Sequence, residues 1–367
     1  MKQQSYYITI ILAISMMVGC SSNSDDGNED PIIDDPSPTL YFPPLTSSTW
    51  ETVSPEELGW NTDATAALNT LLEQKDTKAF IILKNGRIAM DTYFGSFTRD
   101  SIWYWASAGK TLTAFTVGIA KENKLLNIND ISSMYLGKGW TSAEMAKENA
   151  ITVRNQLTMN TGLNELFFDC VSPECLRYTA DAGTRWAYHN GPYTLLQSVV
   201  SAAAGTTFSS YFNTELRDKI GMNGFWLSTN GTNNVYFSNA RSMARFGLLN
   251  LNLGSWDNTV VLGDMDYINS MSTSSQDLNL SYGYLWWLNG KDSYRVPGSQ
   301  VQFTGFLIPN APSDTYAGLG KNDQKLYIVP DQGLVVVRLG EDAGEDQAGP
   351  SSFDNDLWGI LKDLIGF

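Results

Sequence analysis

Ser107-Ala108-Gly109-Lys110 places a hydroxyl and an amine three residues apart. On a helix, residues at that spacing share a face, so the two groups can meet one turn from the helix start. A serine hydroxyl is a poor nucleophile until a base takes its proton, and a lysine desolvated enough to lose its charge can be that base. The same stretch ends in Gly109-Lys110-Thr111, the tail of a phosphate-binding loop, but that loop needs a glycine at 104, where Tyr104 stands. Ser101 to Ala106 contains no glycine and three aromatic residues, so it cannot wrap an anion in bare amides. A Ser-His-Asp triad could use only His189, the one histidine, and no Gly-x-Ser-x-Gly elbow occurs. Hydrolysis by a cluster of metal-binding histidines is excluded on the same count.

Two further segments follow in order: Ile151-Thr152-Val153-Arg154-Asn155-Gln156-Leu157-Thr158-Met159-Asn160-Thr161-Gly162-Leu163, and Ala182-Gly183-Thr184-Arg185-Trp186-Ala187-Tyr188-His189-Asn190. With Ser107-x-x-Lys110 they resemble the penicillin-recognising serine hydrolases, the group of class C β-lactamases, DD-peptidases, D-aminopeptidases, small-amide hydrolases and carboxylesterases. The resemblance runs from about residue 50 to the C-terminus, and Ala240 to Leu249 is similar to a structural helix of that group. It implies that Ser107 is the nucleophile, that Lys110 and Tyr188 move its proton, and that Asn190, in a Tyr-x-Asn box with His189 between, binds substrate. The third box of the family is expected at Lys321-Asn322-Asp323, with Lys321 attracting a carboxylate or lowering the Tyr188 phenol pKa. The oxyanion hole would use the amides of Ser107 and Gln324. Asp323 departs from the family's glycine, and a negative side chain there disfavours β-lactams. The expected function is ester or small-amide hydrolysis through an acyl-enzyme on a small-molecule substrate. A β-lactamase or DD-peptidase-type penicillin-binding protein is the second reading, and a non-catalytic surface binding module is the alternative of another class. No metal or organic cofactor is implied.

Elements must bring these residues together. Ala79 to Leu83 and Arg87 to Tyr93 read as strands around Lys84-Asn85-Gly86, a strong hairpin signal. Leu112, Phe115 and Ile119 recur at helical spacing from Ser107 to Glu122. Helix and loop signals, Phe208 to Ile220 and Ala240 to Leu251 among them, dominate to about residue 270. Strands return at Gly283 to Leu288, Gln324 to Val329 and Leu334 to Leu339, and Phe353 to Leu364 marks an amphipathic terminal helix. The pattern predicts an α+β fold: one antiparallel β-sheet flanked by helices, with a mostly helical insertion over roughly 123–270 and a cleft between the two. Trp103, Trp105, Trp186, Trp286 and Trp287 are expected mainly in the core.

Of the 367 residues, 43% are hydrophobic, and after the N-terminus no stretch approaches the roughly 20 apolar residues that span a bilayer. Lys2, the apolar run Tyr6 to Val18 and Gly19-Cys20 are read as a signal peptide over residues 1–19. Met17-Val18-Gly19-Cys20 resembles a lipobox, which makes Cys20 the expected lipid attachment and the protein an exported bacterial lipoprotein on the outer membrane. Residues 20–48 are acidic, rich in proline and free of lysine and arginine, and are predicted to be a disordered tether before a hydrolase domain over 49–367. The formal net charge of −15 and the lack of basic clusters exclude nucleic acid as a partner. Cys170 and Cys175 remain as an even pair in an oxidising compartment and are expected to form a disulfide.

Overall fold

The computed structural model describes residues 40–229, 233–344 and 349–367. The expected signal segment, Cys20 and the tether up to residue 39 lie outside the described residues. Residues 40–48, assigned above to the tether, lie on the folded body. Leu40, Tyr41 and Phe42 pack against the core, and Tyr41 N donates to Asn85 O at 3.0 Å. Three consecutive apolar side chains outweigh the composition of the segment before them.

The strands are β1 (Thr77–Lys84), β2 (Arg87–Tyr93), β3 (Trp103–Tyr104), β4 (Phe225–Thr229), β5 (Asn233–Ser238), β6 (Trp287–Leu288), β7 (Tyr316–Gly320), β8 (Gln324–Val329) and β9 (Leu334–Gly340). Two minor two-stranded pairs complete the set among the described residues. The main sheet has the order β2-β1-β9-β8-β7-β6 and is antiparallel throughout. The β1–β2 hairpin turns at Asn85 and Gly86 with φ of +48° and +82°, the left-handed pair that matches the twist of a two-residue hairpin. β3, β5 and β4 form a separate small sheet.

Every residue of β8 and β9 is buried, because helices cover both faces. The principal helices are α1 (Thr65–Gln74), α2 (Lys110–Glu122), α3 (Asn190–Ala204), α4 (Ala240–Leu251) and α5 (Ser352–Ile365). α5 packs on one face, where Trp358 meets Tyr327 edge-on at 5.5 Å. α4 packs against β1, β8 and β9, so it belongs to the sheet layer although it lies within the expected insertion. α2 runs through the interior, with every residue from Lys110 to Ala120 buried.

The structure corrects several expectations. The run from Gly283 to Leu288 is a strand only at Trp287–Leu288, since Leu285 adopts φ +62° and its N–H bonds Leu157 O at 3.1 Å. β7 was not anticipated: its Tyr-Ala-Gly-Leu-Gly sequence carries two glycines and little β-propensity. The β4–β5 hairpin also interrupts the expected helical insertion. Phe208 to Ile220 is helical but passes from α through π to 3-10 geometry.

Between the sheet and α5 lies a buried ionic cluster. Lys325 Nζ contacts Asp323 at 3.0 Å and Asp354 at 2.9 Å, and all three side chains are at most 3% exposed. Tyr327 also donates to Asp354, and Ser351 Oγ donates to Asp323 at 2.6 Å. Removing the lysine would leave two carboxylates buried without their cation. Lys325→Ala is expected to destabilise the protein by about 3–5 kcal/mol in chemical denaturation, and a change below 1 kcal/mol would show that the cluster does not hold the helix on the sheet.

Candidate active site

Ser107 sits in a tight 3-10 turn, Ala106–Gly109, that opens directly into α2. The turn is fixed from behind: Trp105 N donates to Tyr236 O and Trp105 Nε1 to Ser238 Oγ, both at 2.8 Å. Ala106 is held at φ +46°, a costly conformation for a residue with a side chain, and such strain persists only where the surroundings impose it. In front, β7 comes so close that a Cβ at Gly320 would stand 3.1 Å from Ser107 N and 2.6 Å from Trp105 O. Only glycine permits this approach.

Lys110, one turn on, donates to Ser107 Oγ at 2.8 Å. Its amine lies over two aromatic rings, 4.9 Å from the Tyr188 centroid and 4.5 Å from that of Tyr193, and the residue is 1% exposed. Burial brings its pKa down to about 7, against the opposing charge of Asp169. Half of such amines are neutral near pH 7, and a neutral amine in this contact can take the hydroxyl proton.

Tyr188 is buried with its ring stacked between Phe168 at 6.0 Å and Trp287 at 5.8 Å. Its hydroxyl makes no hydrogen bond within the protein. Burial pushes its pKa well above the ordinary phenol value, with the nearby Ser107 hydroxyl pulling the other way. The phenol is therefore neutral, without the lowering that was one expectation for Lys321, and of the two groups the Lys110 amine is the one that can accept a proton near pH 7. His189 is buried with both ring nitrogens unbonded, and burial lowers its pKa to about 4. It is a neutral neighbour.

The segment from Ile151 to Leu163 serves as the scaffold for this group. Thr152 and Asn155 form a capping box on the short helix Val153–Leu157. Gln156 Nε2 donates to Pro192 O at 2.7 Å, tying that helix to α3. Ala187 N donates to Met159 O at 2.8 Å, which sets the chain just before Tyr188.

Asn190 opens α3, and its Nδ2 donates to Asp169 Oδ1 at 2.7 Å while Asn190 N donates to Phe168 O at 3.0 Å. Phe168 and Asp169 lie directly before the small loop closed by the Cys170–Cys175 disulfide, which the structure contains. Sequence reasoning missed Asp169, Phe168 and Tyr193. The proximity of Phe168-Asp169 to the cysteine loop was the one available signal.

The third box differs most from expectation. Lys321-Asn322-Asp323 is the turn between β7 and β8, and the strand against the Ser107 turn precedes it. Lys321 is exposed, directly after Gly320. Asp323 turns away from the cleft: besides Lys325 and Ser351 it accepts from Ala343 N at 3.0 Å. Left-handed φ values at Asn322 and Asp323, +57° and +56°, permit this reversal. Gln324 is fully buried, and its Nε2 donates to Gly340 O at 2.6 Å, so its side chain braces β9. Trp105, Trp186, Trp286 and Trp287 are core residues, and Trp103 is partly exposed. Among the described residues no group of three or more histidine, cysteine or carboxylate side chains could hold a metal ion.

The Beta-lactamase family profile matches residues 68–357. No curated protein matches the sequence. Among solved structures, the chain is similar to a Bacillus anthracis protein provisionally named a 6-aminohexanoate-dimer hydrolase, with TM-score 0.68 and 17% identity over 89% of this chain and 90% of that one. It is similar to a Bacteroides dorei protein provisionally named a beta-lactamase, with TM-score 0.66 and 16% identity over 84% and 100%. A family VIII carboxylesterase aligns with TM-score 0.60 and 13% identity over 81% and 96%. At these identities the structural likeness speaks for the fold. The family match covers most of the chain, with Ser107, Lys110, Tyr188 and Asn190 inside it, and the protein belongs to the beta-lactamase family of serine hydrolases.

Proposed function

We propose that the protein hydrolyses small esters or amides through an acyl-enzyme on Ser107. The observation that carries this reading is the 2.8 Å contact between Ser107 Oγ and a lysine amine whose burial brings its pKa to about 7. Neutral Lys110 takes the hydroxyl proton as Oγ attacks the carbonyl carbon, the leaving group departs with a proton, and water then hydrolyses the acyl ester. Tyr188, neutral and turned toward Ser107, is suited to pass protons between Lys110 and the leaving group. The Ser107 amide at the start of α2 is one donor for the oxyanion, and β7 beside Gly320 is the segment from which a second would come.

One observation keeps the β-lactam reading open as a second choice. Asp323, which disfavoured it from the sequence, points out of the cleft. For the N-terminus, outside the described residues, we propose lipid attachment at Cys20 and anchorage of an exported protein at the outer membrane.

A fluorophosphonate probe is expected to label the wild type and not Ser107→Ala, and p-nitrophenyl ester turnover is expected to fall about a thousandfold or more in the variant. Absence of labelling in folded wild-type protein would favour a binding module on the same scaffold. A fluorescent penicillin, used in parallel, separates the β-lactam reading from the esterase. Because neutral Lys110 is the active form, kcat/KM should fall as pH drops through about 7. A profile flat from pH 5 to 8 would contradict Lys110 as the base. Cys20→Ser is expected to abolish metabolic labelling by fatty acid, and undiminished labelling would refute the anchor.

A further inference from the structure

The loop from Asn164 to Leu176 is docked over the start of α3 by contacts that leave it little freedom. The disulfide closes its second half, Cys170 to Cys175, Asn190 N donates to Phe168 O at 3.0 Å, and a Cβ at Gly191 would stand 2.3 Å from Cys170 O. The Phe168 ring is stacked on Tyr188, the residue whose ring carries the Lys110 amine. Asp169, next in sequence, is exposed, yet its carboxylate is held by Asn190 Nδ2 at 2.7 Å. Asn190 is 4% exposed and cannot flip its amide, because that would set its own oxygen against the carboxylate.

We infer that Asp169 is a specificity residue, selecting substrates whose acyl portion carries a cation, an alkylammonium in particular, over neutral or carboxylate-bearing ones. The inference rests on the hydrolase reading above. A fixed, solvent-facing carboxylate bonded to Asn190, and near enough for its charge to reach Lys110, attracts a cationic chain end and repels an anionic one. The aromatic face of Phe168 next to it suits the methylene or methyl groups around an ammonium. The carboxylate already acts on the buried amine: its charge raises the pKa of Lys110 against burial. A cationic substrate would meet the same field, in a position prepared by the disulfide loop and needing no ordering on binding.

The test compares three p-nitrophenyl esters: 4-(trimethylammonio)butanoate, its neutral isostere 5,5-dimethylhexanoate, and glutarate. The wild type is expected to favour the cationic ester over the isostere by about tenfold in kcat/KM at low ionic strength, with glutarate the poorest, and added salt should narrow the difference. Asp169→Asn keeps the shape and an acceptor for Asn190, and should bring the cation-to-isostere ratio close to one. Asp169→Glu should retain a preference, and opening the loop with Cys170→Ser and Cys175→Ser together should weaken it. Fluorophosphonate labelling of Ser107 in each variant shows that the nucleophile is intact. A labelled wild type without cation preference, or a labelled Asp169→Asn with the ratio unchanged, overturns this inference alone. A wild type that is not labelled overturns the hydrolase reading and this inference with it.

Discussion

The burial of one amine governs the site. Lys110 lies against two aromatic rings with no carboxylate bonded to it, and removing an ammonium from water in this way is costly enough that the group gives up its proton near neutral pH. Its close polar contact is the Ser107 hydroxyl. A lysine on the surface would remain charged and inert as a base, so the arrangement depends on everything that keeps water from Lys110: the buried length of α2, the Tyr188 and Tyr193 rings, and the segments that hold those rings.

Those segments come from distant parts of the chain. The Val153–Leu157 helix and Met159 fix the chain on both sides of Tyr188: Met159 O accepts from Ala187 N before it, and Gln156 donates to Pro192 O after it. Trp287, at the end of the main sheet, closes the other side of the Tyr188 ring. β7 holds the Ser107 turn from the front with a glycine where any side chain would collide. Arg338, fully buried, donates to Asn322 O at 3.0 Å and Asp323 O at 2.9 Å, and so fixes the turn that follows β7. Rigid support of this kind sets the Ser107 hydroxyl and the Lys110 amine within hydrogen-bond reach of each other.

Two carboxylates have opposite placements. Asp323 is absorbed into the cluster with Lys325 and Asp354, where it stabilises the union of sheet and α5 and has no contact with the cleft. Asp169, on a loop with no regular secondary structure, is the carboxylate bonded to a residue of the Tyr-x-Asn box. The carboxylate bonded to that box is therefore one that no motif marked, and the residue that a motif did mark has a structural task.

The features legible in the sequence were those set by short-range geometry. Asn85-Gly86 favours one turn, the spacing of Leu112, Phe115 and Ile119 makes a helix, and the three-residue spacing of Ser107 and Lys110 lets both share one face. The β-branched and aromatic runs at the two ends of the chain, with helices between, also conveyed the sheet and its class. Tertiary structure alone decided which way Asp323 points, that β7 and not the turn after it lies against Ser107, and that the disulfide loop covers Asn190. Each of these depends on contacts between residues far apart in the chain, or on a left-handed φ imposed by packing, and neither leaves a periodic trace in the order of the amino acids. The ionisation of Lys110 belongs to the same class: the sequence supplies the amine, but its pKa is a property of the solvent that the folded chain removes.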